Sequence, residues 1–308
     1  MIKSPILIVG INGFLGSALN DYLRVFYPGY VVIGIDKSLK PSRLRFRIDL
    51  NDSQKVKKLL REQRPSYIFH LCGDTVSTDF DSLFKAHVST TNSLLSVLIQ
   101  LKPYSPRVII PSSAAEYGSL SKSRAFVESD PARTASSYGI SKALQSELAK
   151  IYSSAGLDIV IARMFNISGG GVPRSLSIGR FAYELALIKR KRKKPILETR
   201  TLRTKRDFLD IKDVCRSMML LALKGKTGQT YNICSQEPVS MRTILNKMIA
   251  IAGLSKIKII EEKNRNPLDV LCSWGSKKKL ESLIGNFKHV SLEESLKDSY
   301  YYYLSKLN

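Results

Sequence analysis

The feature that most constrains the fold lies between residues 5 and 36. "PILIVG" (5–10) is a short, unbroken apolar run, and "GFLGSALNDYLRVFY" then places apolar residues at helical spacing, so a buried strand feeds directly into a helix. "GINGFLG" sets Gly10, Gly13 and Gly16 at the junction. Glycines there allow a tight turn, a close approach of the backbone to a diphosphate and tight packing of helix on strand. The second strand, "VVIGID", ends in Asp36, twenty residues after Gly16. Its carboxylate can accept hydrogen bonds from ribose hydroxyls and repels a 2'-phosphate. The expected ligand is a dinucleotide, NAD(H) ahead of NADP(H). Lys37, Arg43 and Arg45 follow closely enough to leave NADP(H) open.

The alternation continues. A strand near "RFRIDL" precedes a helix across "SQKVKKLLREQ", and the strand "SYIFHL" precedes a long helix over about 81–100. "RVIIP", a helix over about 136–153 and "DIVIAR" complete the pattern. Strands interleaved with helices predict an α/β chain, a Rossmann-type doubly wound parallel sheet over residues 1–166. Beyond Asn166 the glycine-rich "SGGGVPRSLS" and shorter elements predict a smaller C-terminal α/β lobe over 167–308, with some segments returning to the first domain. The tyrosines of "SYYYYLSKL" read as a helix face packed on that lobe.

A chain of 308 residues with 44% hydrophobic composition can bury a large core. The opening "MIKSPILIVG" breaks at Gly10, too early for a secretory signal or a membrane helix, and no later run approaches about 20 apolar residues. The expectation is a cytoplasmic protein. Cys72, Cys215, Cys234 and Cys272 are dispersed in apolar surroundings, which predicts reduced core residues and no metal site. The net charge of +23 attracts phosphate, nucleic acid or an anionic membrane surface without choosing among them. Its densest run, "KRKRKK" (189–194), follows the helical pattern "IGRFAYELALI" and reads as a solvated helix end. No aromatic-basic RNA motif accompanies it, so nucleic acid is not the expected partner; membrane-surface association stays open.

Two further stretches carry chemistry: "SSAAEYG" (112–118) and "YGISK" (138–142). Tyr138 and Lys142 stand one helical turn apart, so the ammonium is expected to lower the phenol's pKa and fit it for proton transfer. With "GINGFLG", these stretches resemble the extended short-chain dehydrogenase/reductase family, the NAD-dependent epimerases and dehydratases that mostly act on nucleotide sugars. The resemblance spans almost the whole chain. It implies Ser113, Tyr138 and Lys142 as catalytic residues, with Ser113 hydrogen-bonded to the reacting substrate oxygen. It also implies cofactor contacts from Gly10, Gly13, Phe14, Leu15, Gly16, Asp36, Lys37, Asp49, Leu50, Leu71, Gly73, Tyr138, Lys142 and Met164. Asn166, Arg206 of "KRDFLDIKDV" and Arg265 of "NRNPLDVLCSWGSKKKL" are implied at the substrate, the arginines as diphosphate clamps. In Arg265 the pattern is displaced, because Asn266 stands directly before Pro267. His87 stands where the family has Asn, and it reads, like His70, as a structural histidine.

The family's 4,6-dehydratases carry acids just after the serine. Here those positions are Ala114 and Ala115. Glu116 lies one further on and, on an extended segment, points away from the Ala115 side. Elimination of water therefore lacks its acid and base. The chain is most similar to the GDP-4-keto-6-deoxy-mannose reductases, which implies NAD(P)H-dependent reduction of the 4-keto group of a nucleotide-linked deoxysugar, GDP-linked first. A nucleotide-sugar 4-epimerase is the alternative. A non-catalytic dinucleotide-binding or RNA-binding protein is a third, against which the intact Ser, Tyr and Lys argue. The resemblance also implies a homodimer built on the helices over 81–100 and 136–153.

Overall fold

The computed structural model describes residues 3–118, 124–134, 136–262 and 270–307. Strands β1 (Lys3–Val9), β2 (Tyr30–Asp36), β3 (Arg45–Arg47), β4 (Tyr67–His70), β5 (Arg107–Ser113) and β6 (Ile159–Met164) are separated by helices, except that β3 follows β2 directly. Then come β7 (Asn166–Ser168), β8 (Ile196–Thr199), β9 (Lys205–Asp210), β10 (Thr230–Ile233), β11 (Pro238–Ser240), β12 (Lys258–Glu261) and β13 (Cys272–Ser273). The main sheet runs β10-β6-β5-β4-β1-β2-β3 and is parallel throughout. This is the doubly wound arrangement expected, with the reversal of strand order between β1 and β4.

Both faces of that sheet are covered, which is why its strands are runs of apolar residues rather than alternations. Ile6 and Ile8 face one core, with Phe69, Ile109 and Val160, under the helices Phe14–Phe26 and Ile211–Lys224. Leu7 and Val9 face the other, with Ile33, Ile35, Ile68 and Val108, under Ser53–Gln63, Thr90–Ile99 and Ser137–Ser154. Three segments beyond Asn166 belong to this body. The helices Ile211–Lys224 and Lys278–Ile284 pack on the first face, and β10 pairs with β6 as the sheet's last strand.

The remaining C-terminal elements form their own core. Helices Ser177–Lys189, Met241–Ile251 and Leu292–Lys306 enclose Phe181, Leu185, Ile244, Met248, Leu296 and Tyr300. β9 runs between β11 and β13 and also pairs with β7, while β8 pairs with β12. Of the tyrosine run, Tyr300 is buried and the Tyr303 hydroxyl donates to Val172 O, whereas Tyr301 and Tyr302 are exposed.

The helix expected over 81–100 is more elaborate. It runs as Phe80–Phe84, a π-helical turn Lys85–Ser89, and Thr90–Ile99. A wide turn leaves carbonyls without their usual i+4 amide donors. The Thr90 and Thr91 hydroxyls take up Ala86 O and His87 O, at 2.7 and 2.5 Å. The extra residue is invisible to a periodicity count, and it carries His87 into the core. All four cysteines are free, Cys215 and Cys234 fully buried. Among the described residues no helix is long and apolar enough to cross a membrane.

Candidate functional site

The switch point between β1 and β4 is where a parallel sheet opens a crevice. Gly10 adopts φ 80° and packs against the segment leaving β4 so closely that a Cβ would stand 2.7 Å from Cys72 N. Gly13 N donates to Gly10 O, and a Cβ on Gly16 would fall 2.1 Å from the same carbonyl, so the helix starts flush against the turn. Gly13 caps that helix without any side-chain hydrogen bond, and its first turn holds no acidic residue. The leading N–H groups thus face the crevice with no carboxylate to compete, and the loop fits the diphosphate of a dinucleotide.

Asp36 closes the far side of the loop. Its Oδ2 accepts from Asn12 N and its Oδ1 from the amide and hydroxyl of Ser38. Lys37 is paired with Asp49 at 3.5 Å on the surface. Phe14 and Leu15 line the start of the first helix, half-buried; Leu71 is half-buried beside Gly10, its N–H donating to Val9 O. Leu50 is a core residue, its side chain turned away among the apolar helices. Arg45 points elsewhere too, donating to Val32 O and Asn20 Oδ1.

Ser113 ends β5 beside Met164 of β6, and its Oγ accepts from Ala115 N. The Ser137–Ser154 helix brings Tyr138 beside it, near enough for the Ser113 hydroxyl to favour the phenolate. Lys142, one turn on, is buried: its ammonium donates to Pro111 O at 2.6 Å and to the Gln145 amide oxygen. The expected electrostatic lowering of the phenol does not prevail. Burial raises the Tyr138 pKa; the Ser113 hydroxyl opposes this and the charge of Glu116 reinforces it. Lys142 bears the cost of its own burial and falls to about 8, partly held up by Glu116. Ser113, Tyr138 and Lys142 therefore converge, with a protonated phenol at the opening and a cation held beneath it.

Behind them lies a buried polar network that composition and spacing did not reveal. Gln145 Nε2 donates to Thr91 Oγ1, which also meets His70 Nε2 at 2.9 Å. His70 and His87 are both buried and both depressed to about 3, first by desolvation and next by the Lys142 charge. The available signal was the polar Ser141, Gln145 and Ser146 on the inward face of the helix that carries Tyr138.

Glu116 departs from the expectation of an extended segment. The chain turns at once into the 3-10 helix Ala114–Tyr117, which carries Glu116 into the interior at 1% exposure. There it accepts from the Ser112 and Ser146 hydroxyls and pairs with Arg163 at 2.8 Å, whose guanidinium stacks over the Tyr117 ring. It is kept from the crevice by this pairing, not by strand alternation. Ala114 and Ala115 leave the serine's surroundings apolar.

Asn166 and Arg206 lie on the neighbouring strands β7 and β9, Asn166 Nδ2 donating to Asp207 O. Asp207 is fully buried; its carboxylate gathers Ser235 N and Oγ, Gln236 N and Gly275 N, and burial raises its pKa despite them. It holds together the loops around Arg206. Arg265 lies outside the described residues. The run 189–194 is mostly exposed at the end of its helix, with Lys193 paired to Glu184.

The sequence matches the NAD dependent epimerase/dehydratase family over residues 6–234. The chain belongs to that family. One similar curated relative is the GDP-6-deoxy-D-mannose reductase of Pseudomonas aeruginosa, 23% identical over 299 residues, 95% of this chain and 94% of its own. Another is the GDP-6-deoxy-D-talose 4-dehydrogenase of Aggregatibacter actinomycetemcomitans, 26% identical over 305 residues and 96% of each chain. A solved structure of RMD from Pseudomonas aeruginosa in complex with NADPH superposes with a TM-score of 0.87, covering 98% of this chain and all of its own at 24% identity. Its likeness concerns the fold that this epimerase/dehydratase family member shares.

Removing Glu116 would strand a buried guanidinium. Glu116→Ala is expected to lower unfolding free energy by about 3–5 kcal/mol in a urea titration, and Glu116→Leu combined with Arg163→Met to recover most of it. A loss below about 1 kcal/mol in Glu116→Ala would show that the pair does not anchor the turn.

Proposed function

We propose that this protein reduces the 4-keto group of a nucleotide-linked deoxysugar, GDP-linked first, at the expense of NAD(P)H. The observation that carries the proposal is the meeting of Ser113 and Tyr138, flanked by Ala114 and Ala115 with Glu116 committed to Arg163. One proton donor, with no free acid or base at the three positions directly after Ser113, suits chemistry at a single carbon. The two GDP-sugar relatives, matched over nearly their whole lengths, support the same substrate class.

When bound, the dinucleotide supplies the hydride. Tyr138 gives its phenolic proton to the carbonyl oxygen as negative charge builds there, and Ser113 hydrogen-bonds the same oxygen. A phenol held protonated by burial suits donation better than abstraction, which favours reduction over an oxidation-first epimerisation. Lys142 keeps a positive charge one helical turn below. Asn166 and Arg206 face the substrate diphosphate, and Asp36 favours NAD(H).

We also propose a homodimer. Ile140, Leu144 and Ile151 recur along one face of the Ser137–Ser154 helix, beside Phe80 and Phe84 of the helix packed against it, and all are at least 38% exposed. A contiguous apolar face of this kind marks an interface.

Tyr138→Phe is expected to lower kcat for NAD(P)H oxidation with GDP-4-keto-6-deoxy sugars by about 10²–10⁴-fold while cofactor affinity is kept. Stoichiometric, non-exchanging NAD with epimer interconversion and no net NAD(P)H consumption would overturn the reductase assignment. The pH profile follows from the two groups. The phenol stays protonated through neutrality, whereas Lys142 loses its charge as pH rises through about 8. The rate of reduction should be flat near neutrality and fall above about 8, and Lys142→Arg, permanently charged, should move that fall upward. A reduction rate that climbs with pH would contradict proton donation. For the dimer, Leu144→Glu with Ile151→Glu should convert a sedimenting dimer to monomer at micromolar concentration; an unchanged sedimentation coefficient would exclude this face.

A further inference from the structure

We infer that His87 is a positioning residue, fixed as the neutral Nδ1–H tautomer, that ties the Gly73–Asp74 segment leaving β4 to the helix carrying Tyr138 and Lys142. The inference rests on those two residues acting as proposed above.

The hydrogen bonds have only one consistent direction. The backbone N–H of Asp74 donates to His87 Nε2 at 3.1 Å, so that nitrogen carries a lone pair. Nδ1 must then hold the proton, and it lies 2.9 Å from Ser141 Oγ. Ser141 accepts there and passes its own hydrogen to Tyr138 O at 2.8 Å. A second chain reaches the same residue through its backbone: the Lys142 ammonium donates to Gln145, Gln145 to Thr91, and Thr91 to His87 O. His87 thus joins a chain from Tyr138 to one from Lys142.

The surroundings are fitted to an imidazole. A Cβ on Gly73 would stand 3.1 Å from His87 Cδ2 and Nε2, so glycine is what lets the segment close on the ring. The Tyr138 ring meets it edge-on, with centroids 5.6 Å apart. The π turn is what delivers the ring to this depth, at 1% exposure. The charged and titratable groups facing it are Lys142 and Tyr138 from the helix, Asp74 from the segment and His70 from β4. Burial and the Lys142 charge oppose an imidazolium and outweigh Asp74, which favours one; a proton on Nε2 would displace the bond from Asp74 N–H.

The test combines spectroscopy of the full chain with kinetics. Long-range ¹⁵N spectra should give His87, assigned by its loss in His87→Gln, as an Nδ1–H tautomer that does not titrate between about pH 5.5 and 8. An Nε2–H tautomer or a charged ring would overturn the proposal. Exchange of the Asp74 amide should be slow in the wild type and in His87→Gln, whose amide oxygen can replace Nε2. It should accelerate at least tenfold in His87→Ala and His87→Asn; unchanged exchange in His87→Ala would equally overturn it. In steady state His87→Ala should lower kcat by about 10- to 100-fold. His87→Asn, which can still donate to Ser141, should retain more of kcat and lose chiefly in KM for the dinucleotide. Equal kcat and KM in all three variants would contradict positioning. The tautomer and exchange readouts need no turnover, so a wild type inactive on every keto sugar would count against the proposed reaction and leave the role of His87 to be decided by them.

Discussion

The backbone of Gly10 approaches the segment leaving β4 more closely than any side chain would permit, and the site is arranged around that approach. It sets the glycine turn against Leu71 and Cys72 at the reversal of strand order. The first helix then starts without a side-chain cap, with its N–H groups facing the crevice. From the same segment, Gly73 and Asp74 close on His87, and through it reach the helix of Tyr138 and Lys142. The glycine turn and the helix of Tyr138 and Lys142 are thus connected through four consecutive residues of backbone. Burial forces the geometry, because polar groups taken out of water must find partners.

Below the crevice the protein buries two cations in different ways. Arg163 is given a carboxylate, Glu116, and an aromatic face, Tyr117. Lys142 is given only neutral oxygens, from Pro111 and Gln145, and receives the Glu116 charge at longer range. The first arrangement is locked and fixes the turn after Ser113. In the second, burial lowers the ammonium's pKa to about 8, so it loses its charge far more readily than a lysine in water. A structural pair and a responsive cation can therefore share one carboxylate.

The glycine turn, Asp36 and the alternation of apolar strands with amphipathic helices were legible because each has a local spacing, and Ser113, Tyr138 and Lys142 do come together. What spacing could not convey was three-dimensional. The single residue added by the π turn leaves hydrophobic periodicity almost unchanged yet swings His87 inward. "SSAAEYG" gives no local sign that the chain turns after Ser113, since that turn is held by Arg163, far along the sequence. The effect of Lys142 on Tyr138 was expected from their separation alone, whereas burial of both groups dominates. Asp207, whose carboxylate partners come from two distant segments, is recognisable only once the chain is folded.

The pairing of β10 with β6 has a consequence for the order in which the chain can be completed. β6 ends at Met164, but the strand that covers its outer edge begins at Thr230, after much of the second lobe has been laid down. As the chain leaves the ribosome, β6 must wait with an open row of amides and carbonyls, the kind of edge that recruits foreign strands. The last strand of the sheet thus comes from beyond the second core, and β6 stays an edge until it arrives.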